Sequence, residues 1–378
     1  MRLILANRWA KLSAAIVVIA AIIFVIEALV TKNETPTATA STSNAASTPS
    51  NNSSGPRLAE FTGITTWLNS DPLTIQGLQG KVVLVDIWTY SCVNCIRTLP
   101  YLREWYAKYA SRGFVIVGVH SPEFAFEKDV NNIRQALQKY GVTWPVAVDN
   151  DMATWQAYGN RYWPHKYLGD AKGVLRYERI GEGGYVATEE EIRKLLTEAG
   201  HDVSDIPLGT EAVENQNQTI TREMYAGSNW SFGGYLGNAP TLLDGNGGVY
   251  KDPGAYEDGK IYYSGRWQQT DEFTRPVSPS PAAPASAIIK YKASSANVVI
   301  RPEPGVTFTL LVELDRKPVP KAIMGDDVTY DDQGRSVTKV DAPRMYNFVR
   351  APGVETHELR LTVTEPGFQL YTYTFSIS

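Results

Sequence analysis

Cysteine is nearly absent from this chain: its 378 residues contain two, Cys92 and Cys95. Two are too few for a disulfide scaffold in a chain of this length, so the pair reads as catalytic rather than as a staple. Histidine is scarce as well, at four residues, and only His120 and His165 fall anywhere near the cysteines. A zinc site takes about four ligands, so no metal is expected, and no cofactor. An excess of basic residues is also lacking. The formal net charge of −4 leaves no stripe for nucleic acid, and no glycine-rich phosphate loop occurs, which excludes both the nucleic-acid and the phosphate-loop classes.

One long apolar run is present, at the amino terminus. Residues 1–11 carry Arg2, Arg8 and Lys11, and residues 12–30 are apolar except for Ser13 and Glu27. That length approaches the roughly 20 residues needed to span a bilayer, and Glu27 would sit near the outer interface. No small-residue cleavage site follows, and no cysteine stands there to be lipidated. Residues 1–30 are therefore expected to be an uncleaved signal anchor, with the positive end inside and the rest of the chain on the extracytoplasmic side of the cell membrane. Residues 31–55 are dominated by Ser, Thr, Asn, Ala and Pro, the composition of a flexible tether.

Residues 81–100, KVVLVDIWTYSCVNCIRTLP, hold both cysteines. Residues 82–88 form a β-branched apolar run, the signature of a strand buried on both faces, interrupted by Asp86. From Cys92 onward Ile96, Leu99, Leu102 and Tyr106 recur at helical spacing, so Cys92 opens a helix. Free N–H groups and the positive end of the helix dipole favour a thiolate there, which makes Cys92 the expected nucleophile. Cys95 lies one turn deeper and is the expected resolving thiol. Asp86, desolvated on the strand beneath, is the expected proton relay for Cys95. A structural CxxC disulfide is the plain alternative.

Residues 81–199 resemble the thioredoxin fold, and more closely its extracytoplasmic TlpA-like branch. The resemblance rests on VLVDIW, on CVNC at the matching distance from Asp86, on Pro100 within the first helix, and on YWPHKYLGDAKGVLRYERIGEGGY. It implies a cis peptide between Trp163 and Pro164 facing the disulfide, with the Trp163 backbone pairing an extended substrate chain. Val93-Asn94 departs from the thioredoxin Gly-Pro, which leaves the redox direction open. Further expected elements are strands at 114–120 and 146–149, a helix over 124–140, strands at 167–168 and 174–180, and a closing helix over 188–199. His165 is a candidate to face the site or a plain structural histidine, His120 reads as structural, and Trp88, Tyr90 and Trp163 are candidates for an apolar collar or for core.

Beyond about residue 210 helical periodicity disappears, and short alternating runs at 298–301, 307–313, 358–363 and 368–377 are punctuated by turns. That pattern reads as an antiparallel β-sandwich or jelly roll. With SGRWQQTDEFTRP, RMYNFVR and TYTFSIS it resembles the carbohydrate-binding-like module that follows the thioredoxin domain in cytochrome c biogenesis proteins of the DipZ type. The expected organisation is thus a signal anchor at 1–30, a linker at 31–55, an α/β thioredoxin-like domain at 56–205 and an all-β carbohydrate-binding-like sandwich at 206–378. The resemblance implies reduction of protein disulfides, in cytochrome c maturation among other settings, with electrons from a separate CcdA-like membrane carrier. Trp230, Phe232, Tyr235 and Trp267 are candidates for a glycan-stacking platform or for core. Two rival readings remain. Thr89 has the threonine-to-cysteine spacing of peroxiredoxins, with Arg97 or Arg161 needed to bind peroxide, and a glycan- or partner-binding protein could use the thioredoxin part as scaffold only.

Overall fold

In the computed structural model the described residues are 55–210, 218–229 and 234–377. The expected anchor and most of the linker lie outside them, and no helix among the described residues is long and apolar enough to cross a membrane. The amino-terminal half is built on strands β1 (Thr66–Leu68), β2 (Val82–Trp88), β3 (Phe114–His120), β4 (Val146–Val148), β5 (His165–Gly169) and β6 (Leu175–Ile180). They form one mixed sheet in the order β1-β4-β3-β2-β5-β6. The run VVLVDIW makes β2 for the reason its sequence suggests: all seven residues are buried, with β3 parallel on one side and β5 antiparallel on the other.

Helix α1 (Val93–Tyr109) follows β2 and buries Val93, Cys95, Thr98, Leu99, Leu102, Trp105 and Tyr109. Ile96 and Tyr106, expected inside with Leu99 and Leu102, are only half-buried. Pro100 lies within the helix, and lacking an N–H it leaves the Ile96 carbonyl without its usual partner. Helices α2 (Val130–Tyr140), α3 (Ala153–Ala157) and α4 (Tyr185–Glu198) complete this half. The single helix expected over 124–140 is two elements, a 3-10 turn at Ala125–Lys128 and then α2. The break has its cause in two carboxylates. The Glu127 carboxylate turns back to accept the N–H groups of Glu123 (2.5 Å) and Phe124 (3.0 Å), while Asp129 caps α2 by accepting from Asn131 N–H (2.8 Å). The strand expected at 167–168 and the helix expected from 188 both begin earlier, at His165 and Tyr185.

The carboxy-terminal half is strand-rich. Its strands are β7 (Met224–Tyr225), β8 (Leu242–Asp244), β9 (Gly247–Tyr250), β10 (Ile261–Gln269), β11 (Thr274–Pro276), β12 (Ala285–Pro302), β13 (Phe308–Leu314), β14 (Lys317–Pro318), β15 (Thr329–Tyr330), β16 (Ser336–Val340), β17 (Arg344–Val363) and β18 (Phe368–Ser376). The runs at 298–301 and 358–363 prove to be parts of β12 and β17, of 18 and 20 residues. Such lengths are reached because β12 changes neighbours along its course. It pairs with β10 over residues 286–289 and with β18 over 295–302, and a bulge near Ala293 and Ser295 lets it bend between them.

The two halves share a core. Val299 and Tyr371 belong to the same buried cluster as Trp88, Tyr90, Cys95, Phe124 and Phe126. The Tyr371 ring lies 5.0 Å from that of Phe124 and 4.8 Å from that of Phe126, both edge-on, a favoured aromatic geometry. Replacing the fully buried Tyr371 with Ala is expected to cost about 3–5 kcal/mol. Because the ring sits between the halves, urea unfolding should show both losing stability; a redox half left at its original midpoint would contradict the shared core.

Candidate active site

Strand β2 ends at Trp88, the chain turns through Thr89, Tyr90 and Ser91, and Cys92 is the N-cap of α1. Its sulfur accepts the Cys95 N–H at 3.3 Å, so the thiol takes the place of the usual capping oxygen. The turn is braced from below, where Ser91 Oγ donates to Glu127 Oε1 at 2.5 Å. Cys92 is partly exposed, Cys95 is fully buried, and both are free thiols. Sequence reasoning expected the helix end to favour a thiolate at Cys92. The bond from Cys95 N–H does pull that way, but burial outweighs it and pushes the Cys92 thiol well up, with neighbouring Cys95 and the Glu123 carboxylate adding to the rise. Burial likewise raises the Cys95 thiol.

Asp86 is 1% exposed. Burial raises its carboxyl to about 6, against the opposing pull of Lys166. Asp86 also raises the Cys95 thiol and Lys166 lowers it, which places the carboxyl, the ammonium and the inner thiol within electrostatic reach of one another. Sequence reasoning missed Lys166. It stands directly across from Asp86 in the β2–β5 register, and Nζ lies 3.8 Å from Asp86 Oδ1. A lysine inside an apolar strand was the available signal, but only the register reveals its partner.

Strand alternation also decides the fate of His165. Its neighbour Lys166 faces Asp86, so His165 projects from the opposite face. There its Nδ1 meets Asn160 Oδ1 at 2.6 Å and the Tyr167 hydroxyl at 2.8 Å. It does not face the thiols. His120 is fully buried and its pKa is lowered to about 3 by burial, so it is neutral. Of the candidate collar, Trp88 and Tyr90 are core residues against His120, the one edge-on at 5.5 Å and the other stacked at 5.6 Å. Only Trp163 remains partly exposed. The Trp163–Pro164 peptide is cis, and Trp163 Nε1 donates to the Ser121 carbonyl at 2.9 Å, joining this loop to the end of β3.

The peroxide-binding reading loses its hydroxyl and one of its two candidate arginines, while Arg161 is exposed. Thr89 is fully buried with its hydroxyl 3.3 Å from His120 Nε2, and Arg97 is engaged by Glu182 at 3.2 Å and by the Ile377 carbonyl at 2.9 Å. The glycan platform is reduced too. Trp267 is 1% exposed in the core of the second half, and Trp230 and Phe232 lie outside the described residues. The second half instead flanks the redox helix. A cleft of about 640 Å³ opens between Val93, Ile96 and Arg97 on α1 and Asn297, Met345 and Asn347 opposite.

Comparison with known proteins adds five findings. Residues 53–196 match the redoxin family, and residues 221–376 match the family described as thioredoxin like C-terminal domain. Protein DipZ of Mycobacterium tuberculosis (strain CDC 1551 / Oshkosh) is 34% identical over 281 residues, 72% of this chain and 38% of DipZ. The chain thus spans well under half the length of that relative. Thiol-disulfide oxidoreductase YkuV of Bacillus subtilis (strain 168) is 30% identical over 141 residues, 37% of this chain and 95% of YkuV. A solved thioredoxin-like protein in the oxidized form is 31% identical and covers 38% of this chain and 97% of its own, with a TM-score of 0.36.

Proposed function

This chain belongs to the thioredoxin-like thiol–disulfide oxidoreductases, and from that premise we propose that it exchanges disulfides with protein substrates through Cys92 and Cys95. The Cys92 thiolate attacks one sulfur of a substrate disulfide. A mixed disulfide forms and the first substrate thiolate leaves. Cys95, losing its proton to Asp86, then attacks the Cys92 sulfur; the Cys92–Cys95 disulfide forms and the second substrate thiolate leaves. The backbone at Trp163, before Pro164, is the proposed strand-like rail for the substrate. The observation that carries this reading is the stacking of a partly exposed thiol at a helix N-cap over a buried thiol, a buried carboxyl and its lysine partner. Exchange of Cys95 for Ser is expected to arrest the reaction at the mixed disulfide. Incubation with a disulfide-bearing protein should then give a covalent adduct on non-reducing gels that dithiothreitol dissolves, and absence of that adduct would count against Cys92 as nucleophile.

The proposed direction is reduction. Oxidants of this fold owe their strength to a stabilised thiolate in the reduced form, whereas burial and Glu123 oppose a thiolate at Cys92. Equilibration with a redox buffer is expected to give a potential nearer thioredoxin, about −270 mV, than the −120 mV typical of a strong oxidant. Residues 12–30 are proposed as the membrane tether, a CcdA-like carrier as the electron source, and apocytochrome c among the substrates. The antiparallel network of the second half supports reading it as a carbohydrate-binding-like sandwich. Tyr235, which is partly exposed and lines a cavity of about 170 Å³, is the residue it offers a glycan.

A further inference from the structure

The cleft of about 640 Å³ beside α1 starts at Val93, the residue that follows Cys92, and reaches Lys139 and Tyr140 at the end of α2. The same two residues line a second cavity, of about 240 Å³, with Tyr90 and Asn132 on one wall and Pro343 and Arg344 on the other. Two cavities that share a wall form one trough, and both parts of it touch the redox turn, at Val93 and at Tyr90. In the first part the lining suits a polypeptide. Asn297 and Asn347 are 3% and 7% exposed, yet both line the cleft. Asn347 Nδ2 donates to Asn297 Oδ1 at 2.7 Å and to Ser295 Oγ at 3.0 Å, a fixed row of groups of the kind that pairs with peptide N–H and C=O. Charge sets the second part apart. Around the trough Arg97 is paired with Glu182 at 3.2 Å, Asp326 with Arg350 at 2.6 Å and Asp327 with Arg344 at 2.8 Å. Lys139 makes no ion pair among the described residues; its Nζ lies 5.6 Å from the centre of the Tyr140 ring. The lining of the smaller cavity holds Lys139 and Arg344 and no carboxylate. Tyr90, in the same lining, has a buried hydroxyl that makes no hydrogen bond of ordinary geometry.

We propose that this trough seats the segment of a protein substrate that adjoins its disulfide cysteine, and that Lys139 selects substrates with an acidic side chain in that segment. This rests on the reading of Cys92 as the nucleophile, since a cysteine held at Cys92 delivers its neighbouring residues to the mouth of the trough at Val93. The peptide groups run along Asn297 and Asn347. A Glu or Asp side chain enters the smaller cavity, where its carboxylate gives Lys139 the ion pair that the chain itself does not supply. The carboxy-terminal half thereby forms one wall of the substrate site, and the preferred substrate is an extended acidic segment.

The test uses the reduced full chain and single-cysteine peptides carrying a mixed disulfide with thionitrobenzoate, whose release is followed by absorbance. The peptides differ only in having Glu or Lys at one of the successive positions on either side of the cysteine. At one or two adjacent positions the Glu peptide is expected to exceed the Lys peptide in kcat/KM by about threefold to tenfold, the scale of an exposed ion pair gained against a like-charge clash. Lys139→Gln should bring that ratio close to one, and Lys139→Glu should invert it. Because each variant is judged by a ratio between peptides, a general loss of activity or stability does not imitate the result. A ratio near one at every position in the unaltered chain would overturn the proposal, as would a preference that Lys139→Glu leaves in place. Equal slowing of Glu and Lys peptides by free glutarate, with no preference between them, would also overturn it, by making the smaller cavity a site for a free carboxylate. Failure of the underlying reading looks different: Cys92→Ser would then still release thionitrobenzoate from every peptide.

Discussion

Cys92→Ser is expected to reduce disulfide exchange to its uncatalysed background, a loss of at least about 10³-fold, because a serine hydroxyl is not ionised at neutral pH and forms no mixed disulfide. The fold should be little affected. Serine is a good N-cap, so its hydroxyl can accept the Cys95 N–H that the thiol now accepts at 3.3 Å. Activity lost with stability retained is therefore the predicted signature, read by insulin reduction beside urea unfolding. A Cys92→Ser chain that still reduces disulfides would remove the proposed mechanism. The contrast with Cys95→Ser matters, since that variant keeps the first half of the reaction and should accumulate the adduct.

Asp86→Asn is expected to separate activity from stability in another way. Without a base beside Cys95, resolution of the mixed disulfide should slow by about 10²-fold, seen as prolonged adduct in single-turnover experiments. The stability effect concerns pH. The folded-state carboxyl is raised from 3.8 to about 6, so between those values the folded chain binds more protons than the unfolded one. The stabilisation this provides is whole below pH 3.8 and is lost as pH rises through 6. At 1.36 kcal/mol per pH unit the loss is about 3 kcal/mol. Asn does not titrate, so the variant's stability curve should lack that fall between pH 4 and 6, whatever its absolute level with Lys166 left unpaired. A wild-type curve that is flat across this window would contradict the buried, raised carboxyl.

Much of the site was legible from local pattern. The buried strand, its acid, the cap position of Cys92 and the inward turn that carries Cys95 all follow from a continuous apolar run and a period of 3.6 residues within about 25 residues of chain. Where the reading erred or left alternatives open, contacts beyond the local pattern decided the outcome. The break before α2 came from Glu127 folding back on the loop and reaching Ser91. His165 left the site because the register across β2 and β5 put Lys166 on its face instead. Trp267, a plausible platform by composition, is core because β10 packs it against Tyr263 at 4.7 Å and Phe368 at 6.1 Å.

By itself, the sequence carried the resemblance that points to the reaction class: two cysteines, one turn apart at the start of a helix behind a buried acidic strand, are the features shared with the thiol–disulfide oxidoreductases to which the chain belongs. Only the tertiary structure decided how those thiols are tuned. Lys166 meets Asp86 through strand register, and Glu127 braces Ser91, next to Cys92, across 36 residues of sequence. The covering of Cys92 that raises its thiol likewise depends on what the fold packs around it. Capping and amphipathic spacing are properties of a few consecutive residues, whereas desolvation and charge pairing depend on which distant surfaces close over a group, and the fold alone supplies those.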